Sequence, residues 1–241
     1  MSNKGVLQKE ISQSFSRRLG LTLTVGLAAG LLISLGIILL FAKIVEDVVE
    51  GESRRFDETG LLLIYANSPA WLDEPMRVAT TLGYYWVILP LLVPIAYAFY
   101  QRGRKVSAAL LVTSTLGGIV LTTALKTVVQ RARPELFDSG YTASFYSFPS
   151  VHATLAVGFY GTLTLLLAWH LTSLKRWAVA AAGVMLVLLI GFSRLYLGVH
   201  YPTDVLAGFL AAPLWISFIG LFYFLWRTFR RRPSGEIEGE E

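Results

Sequence analysis

Apolar residues in this chain form long continuous runs rather than the one-sided pattern of an amphipathic helix. Six runs have the roughly 20 residues that a helix needs to cross the hydrocarbon core of a bilayer. They cover residues 19–42, 76–100, 106–128, 152–171, 177–196 and 203–226. We therefore predict an all-α polytopic membrane protein with six transmembrane helices. Little sequence remains for a soluble domain, so residues 1–241 are expected to form one domain with a tail over 227–241.

Composition agrees with a membrane protein, since 54% of the residues are hydrophobic and 15% are charged, with a mean hydropathy of +0.58. The first run is longer than the apolar core of a cleaved signal peptide, which has roughly 7–15 residues. We therefore expect it to be a true span. The chain has no cysteine, which excludes disulfides, thiolate nucleophiles and cysteine-bound metals.

The loop between the first two predicted spans, residues 46–74, is too long for a simple turn. It mixes acidic residues with Phe56, the apolar stretch 61–65 and Trp71. This composition predicts an interfacial helix. Two roles fit such a helix equally: a lid or tail guide beside a site, and plain anchoring at the lipid headgroups.

Basic residues are concentrated in alternate connections between the predicted spans. They are Lys4, Lys9, Arg17 and Arg18; Arg102, Arg104 and Lys105; Lys175 and Arg176; and Arg227, Arg230, Arg231 and Arg232. By the positive-inside rule these connections face the cytoplasm, so both termini are expected there. The acid-rich stretch 236–241 is typical of a solvated tail.

The same alternation places a second set of polar residues on the opposite, outer face. These residues are Lys126, Arg131, Arg133, Ser150, His152, Arg194, His200 and Asp204. Their cations run against the charge bias, whereas the other outer loop is acidic. We infer that a function on this face requires a positive field.

His200 and Asp204 are four residues apart, and Pro202 between them suits the first turn of a helix. This spacing allows the imidazole to lie over the carboxylate. A carboxylate bonded to Nδ1 fixes the tautomer and leaves Nε2 free as a nucleophile. The alternative is a helix cap at Thr203 or Asp204 beside an interfacial histidine.

Ser150, Val151 and His152 follow Pro149 at the start of an apolar run. Unpaired backbone N–H groups and the helix dipole favour an anion at such a position. Ser150 would donate its hydroxyl, and His152 would give a proton to a leaving oxygen. The alternative is a plain cap by Ser150, with His152 turned to water.

Lys126 and Arg133 flank the end of the third predicted span, and Pro134 is expected to mark where regular helix stops. A pair of snorkelling interfacial side chains is the alternative. Together with Arg194 they make three cations near one mouth. Guanidinium groups match phosphate oxygens bidentately.

In chain order the clusters contain Lys126, Arg133 and Pro134; then Pro149, Ser150, Val151 and His152; then Ser193, Arg194, His200 and Asp204. Their order and spacing resemble the three-part motif of the type 2 phosphatidic acid phosphatase (PAP2) superfamily. Its six-span plan covers nearly the whole chain. One position departs, because Val151 stands where that family usually has glycine. A β-branched residue predicts ordinary φ there.

The resemblance implies a metal-independent lipid phosphatase without a cofactor. His200 would attack phosphorus to form a phosphohistidine, Asp204 would orient it, and His152 would protonate the departing oxygen. The equatorial oxygens would be held by Lys126, Arg133, Arg194, Ser150 and the backbone N–H groups of Val151 and His152.

The implied partner is a lipid or polyprenyl phosphate or pyrophosphate in the bilayer, and no nucleic acid. Undecaprenyl pyrophosphate and phosphatidylglycerophosphate-like lipids come first, followed by phosphatidate and diacylglycerol pyrophosphate. The protein is expected in the inner (plasma) membrane as a multi-pass protein, with its site on the periplasmic or extracellular side. A phosphotransferase of the same family is one alternative. A non-enzymatic anion or lipid transporter is another, although no midplane set of polar residues or inverted repeat favours it.

Overall fold

The computed structural model describes residues 28–137 and 139–230, of which 223–230 by their backbone only. All regular structure in this described part is helical. The α-helices are α1 (Ala28–Glu50), α2 (Arg54–Ala66), α3 (Asp73–Leu82), α4 (Tyr85–Gln101), α5 (Lys105–Val129), α6 (Val151–Leu155), α7 (Thr162–Ala168), α8 (Ser173–Tyr196) and α9 (Pro202–Arg230). A 3₁₀ turn spans Ala70–Leu72, and a π-helical segment, Ala156–Gly161, joins α6 to α7 as one helix over Val151–Ala168.

Five of these helices are long and apolar enough to cross a membrane. A sixth span results if the bent pair Ala70–Leu82 and Tyr85–Gln101 counts as one. The all-helical membrane fold is thus confirmed, while the count of six remains a prediction. The basic residues before residue 28 and the tail after residue 230 lie outside the described residues.

The predicted span 76–100 corresponds to two helices, α3 and α4, rather than to one continuous helix. The chain bends by 48° between α3 and α4, where Tyr84 has extended backbone (φ −75°, ψ 142°). At the bend the backbone of Gly83 packs closely against His152, since an added Cβ would lie 2.9 Å from Cδ2 of His152. Glycine permits this approach because it has no Cβ. The break therefore lies beside a candidate site residue, and not at Pro90 or Pro94 within α4.

Helix α5 ends earlier than Pro134 suggested. Its last residue is Val129, and Gln130 adopts the left-handed conformation (φ 50°, ψ 34°). The N–H of Gln130 bonds to the carbonyl of Lys126 at 3.0 Å, which is a common way to satisfy a helix C-terminus. The described residues that follow, 130–137 and 139–150, contain no regular helix and fold back across the helix ends.

The helices pack through small residues as well as apolar ones. Leu111 of α5 and Phe159 of the π segment belong to the same buried cluster. Gly158 lies so close to α5 that an added Cβ would stand 2.9 Å from the carbonyl oxygen of Ser114. Close backbone approach of this kind stabilises helix packing where apolar burial alone does not drive association.

Residues 28–40 form the first part of α1, which carries exposed apolar side chains such as Leu31 and Leu32. In the remainder of α1, Ile44 packs against Phe148 and Ala207. The loop predicted to hold an interfacial helix contains α2, in which Asp57 and Leu61 are buried. Its interfacial position remains a prediction.

The helix ends explain where the polar clusters meet. Helices α5 and α8 finish at the same end of the bundle at which α6 and α9 begin, because successive long helices alternate in direction. Lys126 and Arg194 therefore come from last turns, and His152 and Asp204 from first turns.

Candidate active site

The structure brings the predicted site residues together at this end of the bundle. His200 lies in the short connection between α8 and α9 and is 2% exposed. Its Nδ1 is 3.4 Å from Oδ2 of Asp204. The two groups are adjacent as the spacing predicted, but that distance is longer than an ordinary hydrogen bond.

The carboxylate of Asp204 has other, shorter bonds. Oδ2 accepts from the backbone N–H of Tyr201 at 2.8 Å, and Oδ1 accepts from Nη1 of Arg131 at 2.7 Å. Its backbone carbonyl accepts from the N–H of Ser150 at 3.0 Å. Asp204 thus joins the start of α9 to the start of α6.

Helix α6 begins as the sequence suggested. The hydroxyl of Ser150 accepts weakly from the N–H of Ala153 at 3.5 Å. Val151 opens the helix without positive φ, so the expectation of ordinary backbone at this position is confirmed. His152 lies in the first turn and meets the ring of Tyr84 edge-on, with centroids 4.5 Å apart. Its Nε2 is buried and bonds to no group within the described residues.

Arg133 is held by backbone carbonyl groups. Nε donates to Phe145 at 2.8 Å, Nη2 donates to Ser144 at 2.9 Å, and Nη1 donates to Val199 at 2.6 Å. Nη1 also lies 3.3 Å from Nε2 of His200. The sequence predicted a guanidinium open to phosphate, whereas the folded segment already satisfies most of its N–H groups.

Lys126 has the same kind of partner. Its ammonium group donates to the carbonyls of Tyr146 and Ser147, the latter at 3.1 Å. Carbonyl oxygens satisfy hydrogen bonds without cancelling charge. The positive charge of Arg133 therefore remains at the site without a carboxylate partner among the described residues.

Arg194 is almost fully buried. Nη1 donates to the hydroxyl of Thr80 at 2.5 Å and lies 3.5 Å from the hydroxyl of Tyr141. The hydroxyl of Tyr141 is in turn bonded to that of Tyr84. Among the residues described, no group bonds to Nε of Arg194.

These side chains line one cavity of about 370 Å³. Its lining residues include Tyr84, Lys126, Arg133, Ser144, Phe145, Val151, His152, Arg194 and His200. Ser150 and Asp204 are fully buried beneath it. All eight predicted site residues are thus in or directly under the same cavity.

The electrostatics of the cavity favour a neutral His200 and an anionic ligand. Burial lowers the pKa of His200 well below its usual value of 6.5, and the charges of Arg194, Arg133 and Lys126 lower it further. Burial, followed by the charge of Arg194, lowers the pKa of Arg133 to about 10. At neutral pH His200 is therefore unprotonated while Arg133 remains a cation.

The sequence signature of the PAP2 superfamily matches residues 107–231, and the chain belongs to this family. It is 35% identical over 177 residues to phosphatidylglycerophosphatase B of Bacillus subtilis, covering 71% of this chain and 83% of that protein. It is 34% identical over 165 residues to undecaprenyl-diphosphatase of Sulfolobus acidocaldarius, covering 66% and 74%.

The fold is also similar to a solved structure, that of a transmembrane PAP2-type phosphatidylglycerolphosphate phosphatase from Bacillus subtilis. The TM-score is 0.69 with 26% identity, over 84% of this chain and 98% of that one. The predicted family and enzyme class, a phosphoric ester hydrolase in a multi-pass membrane protein, are confirmed.

Sequence reasoning missed residues that pack around the site. Arg131 was placed on the outer face without a role, and Asp57 was only one acidic residue of a long loop. Thr80, Tyr84 and Tyr141 carried no motif at all. A charge inside the first motif was the one available signal, because Arg131 lies between Lys126 and Arg133.

Proposed function

We propose that this protein is a metal-independent phosphatase that hydrolyses a lipid or polyprenyl phosphate or diphosphate through a phosphohistidine at His200. The observation that carries the proposal is the cavity. It combines a neutral histidine, three cations and two buried nitrogen atoms, His152 Nε2 and Arg194 Nε, that have no partner among the described residues. Phosphate oxygens match these nitrogen atoms, because buried polar atoms require hydrogen-bond partners.

His200 is the nucleophile in this mechanism. Its Nδ1 side faces Asp204, and its Nε2 side faces Arg133 at the cavity. The Nε2 lone pair forms the P–N bond as the P–O bond to the lipid breaks. Asp204 stabilises the positive charge that develops on the imidazole.

His152 handles the proton. A phosphate dianion among the cations favours its protonated form, and Nε2 then gives the proton to the departing lipid oxygen. In the second half-reaction, His152 takes a proton from water as that water attacks phosphorus. The P–N bond breaks and inorganic phosphate leaves.

Lys126, Arg133 and Arg194 stabilise the charge on the equatorial oxygens, together with the N–H groups of Val151 and His152. In this structure Lys126 and Arg133 donate hydrogen bonds to backbone carbonyl groups of residues 144–147. A phosphate displaces some of them, since its anionic oxygens add ion pairing and can bind a guanidinium bidentately, which neutral carbonyl oxygens do not.

The substrate class follows from the setting. The site opens at one end of apolar helices, which favours a lipid whose tail remains in the bilayer. The relatives' names favour phosphatidylglycerophosphate or undecaprenyl diphosphate. Water as the final acceptor distinguishes this reading from a phosphotransferase, and a hydrolysis screen over lipid mono- and diphosphates with added alcohol acceptors tests both points.

Two histidine variants test the mechanism. His200→Ala is expected to abolish turnover and any acid-labile phosphoenzyme. His152→Ala is expected to slow turnover by about 10²–10⁴-fold, the usual contribution of general acid–base catalysis, and to recover partly with nitrophenyl phosphate, whose leaving group needs no proton. Labelling with ³²P that persists in His200→Ala and disappears in His152→Ala would reverse the two roles.

We also propose that six spans place both termini in the cytoplasm and the site on the periplasmic side of the inner membrane. Basic residues at the opposite helix ends, Arg102, Lys105 and Lys175, support this orientation. Because the chain has no cysteine, a single cysteine at Phe145 can report the site side and one at Leu174 the other side. A membrane-impermeant thiol reagent should label only the first in intact cells, and the reverse pattern would refute the topology.

A further inference from the structure

Asp57 is a buried carboxylate on α2, outside the three polar clusters of the sequence. Its side chain is fully buried. Oδ1 accepts from the backbone N–H of Thr203 at 2.9 Å, and Oδ2 accepts from the Thr203 hydroxyl at 2.7 Å. Asp57 therefore caps, from another helix, the first turn of the helix that carries Asp204.

Arg131 connects this carboxylate to Asp204. Nη2 donates to Oδ2 of Asp57 at 2.6 Å, and Nη1 donates to Oδ1 of Asp204 at 2.7 Å. One guanidinium thus bridges two buried carboxylates and leaves the cluster with one net negative charge when all three are ionised. Because Arg131 is shared, it only partly neutralises Asp204, whose Oδ2 lies 3.4 Å from Nδ1 of His200.

Helix α2 is also attached near its other end. The ring of Tyr65 stacks on Phe137, with centroids 4.2 Å apart and an interplanar angle of 18°. Phe137 covers Gly198, where φ is +64° and an added Cβ would lie 2.7 Å from Cε2 of the phenyl ring. The contacts of α2 through Asp57 and through Tyr65 therefore both lead to residues within a few positions of His200, namely Thr203 and Gly198.

We propose that Asp57 and Arg131 are positioning residues for the nucleophile, a proposal that rests on the role of His200 given above. Asp57 holds the start of α9 and takes up part of the charge of Arg131, so that Asp204 presents negative charge to His200. This charge stabilises the imidazole as it becomes positive during phosphoryl transfer. Without the Asp57 charge, Arg131 pairs with Asp204 alone and the stabilisation weakens.

The first test is Asp57→Asn in the full chain, assayed in detergent with a short-chain phosphatidate. We expect kcat to fall about 10–100-fold, comparable to the loss when partners that orient metal-binding histidines are removed, with little change in KM. Phosphoenzyme formation should slow by the same factor. Glu58→Gln is the matched control, because Glu58 is the next residue of α2 and pairs with exposed Arg54 at 2.8 Å; its kcat should equal that of the parent protein.

A double-mutant cycle separates positioning from a merely structural role. In an Asp204→Asn background, Asp57→Asn should lower kcat by less than about 2-fold more, because its connection to His200 is already broken. Losses that multiply would overturn the proposal, and so would a folded Asp57→Asn protein with the parent kcat. If Asp57→Asn does not fold, Arg131→Lys replaces it in the same cycle, since lysine keeps the charge but cannot bridge both carboxylates.

The parent protein and His200→Ala are measured alongside. A parent protein that hydrolyses none of the lipid mono- and diphosphates of the screen, or a phosphoenzyme that survives His200→Ala, would refute the proposed function. A parent protein that labels at His200, combined with an unaffected Asp57→Asn variant, would refute only the positioning role.

Discussion

The two sides of His200 are built from the same kind of cation but differ in what the cation meets. On one side, Arg131 is bonded to two buried carboxylates, Asp57 and Asp204. On the other, Arg133 and Lys126 are bonded to backbone carbonyl oxygens. The first arrangement cancels the positive charge and the second preserves it.

This difference assigns separate tasks to neighbouring residues. Arg131 and Arg133 are two positions apart in one irregular segment, yet one holds helices together and the other faces the cavity. A charge paired within the fold does not attract a phosphate, whereas a charge satisfied by neutral oxygens still does. His200 lies between a net negative cluster, which favours the positive charge that the proposed nucleophile gains, and a net positive cavity, which favours the phosphate.

The largest expected effect comes from breaking the carboxylate side. Arg131→Met should lower the free energy of unfolding by about 3–5 kcal/mol, because it leaves two buried carboxylates without their cation. Unfolding of the purified protein in mixed micelles measures this. Arg54→Met, which removes an exposed partner of Glu58, should leave stability unchanged. Equal stability of both variants would show that the buried network contributes little.

Breaking the cation side should instead reduce activity. Arg133→Met is expected to lower kcat/KM by about 10²–10³-fold, comparable to removing one donor to a developing oxyanion. Its unfolding should change less than that of Arg131→Met, because its lost partners are neutral carbonyls near solvent. Full activity in a folded Arg133→Met protein would contradict the assignment of this residue to phosphate.

Packing beneath the site can be compared along α9. Gly208→Ala would place a Cβ 2.6 Å from the carbonyl oxygen of Ser150, so the starts of α6 and α9 must separate, at a cost of about 1–3 kcal/mol. Gly220→Ala is the control on the same helix, since no atom lies within 4 Å of its Cβ position. The free energy of unfolding of the Gly220→Ala variant should equal that of the parent protein or exceed it by up to about 1 kcal/mol, because alanine has a higher helix propensity than glycine.

The smallest expected effect is on pH dependence. Because the pKa of His200 lies well below 6.5, the acid limb of kcat/KM that reports its protonation should fall below pH 6.5. Removing a nearby cation eases protonation, so Arg133→Met should move this limb to higher pH. A pH series with a soluble phosphate ester measures the acid limb of the parent protein and that of the variant. An acid limb at the same pH in both proteins would show that a group other than His200 controls it.

Much of the fold followed from patterns that act locally. Runs of about 20 apolar residues predict spanning helices because a helix satisfies its own backbone groups in lipid. Four of the predicted spans, 106–128, 152–171, 177–196 and 203–226, correspond to observed helices within a few residues. The span 76–100 is divided at Gly83 and Tyr84, beside a close contact of Gly83 with His152, and no local pattern specifies a contact between such distant parts of the chain.

The site divides in the same way. Sequence spacing together with the family resemblance identified the cavity residues, because each motif lies at a helix end and consecutive helices alternate in direction. The sequence did not identify Asp57, which lies 74 residues from Arg131 and 146 from Thr203 along the chain. Nor did it separate Arg131 from Arg133 in role.

What the sequence determined by itself is therefore the membrane-spanning helices, the three motifs and the chemistry that their residue types allow. Only the tertiary structure decided which cations are neutralised by carboxylates and which remain available to a ligand. The physical reason is that charge pairing in a buried site depends on distances of a few ångströms between groups from different helices. Local spacing along one chain does not specify those distances.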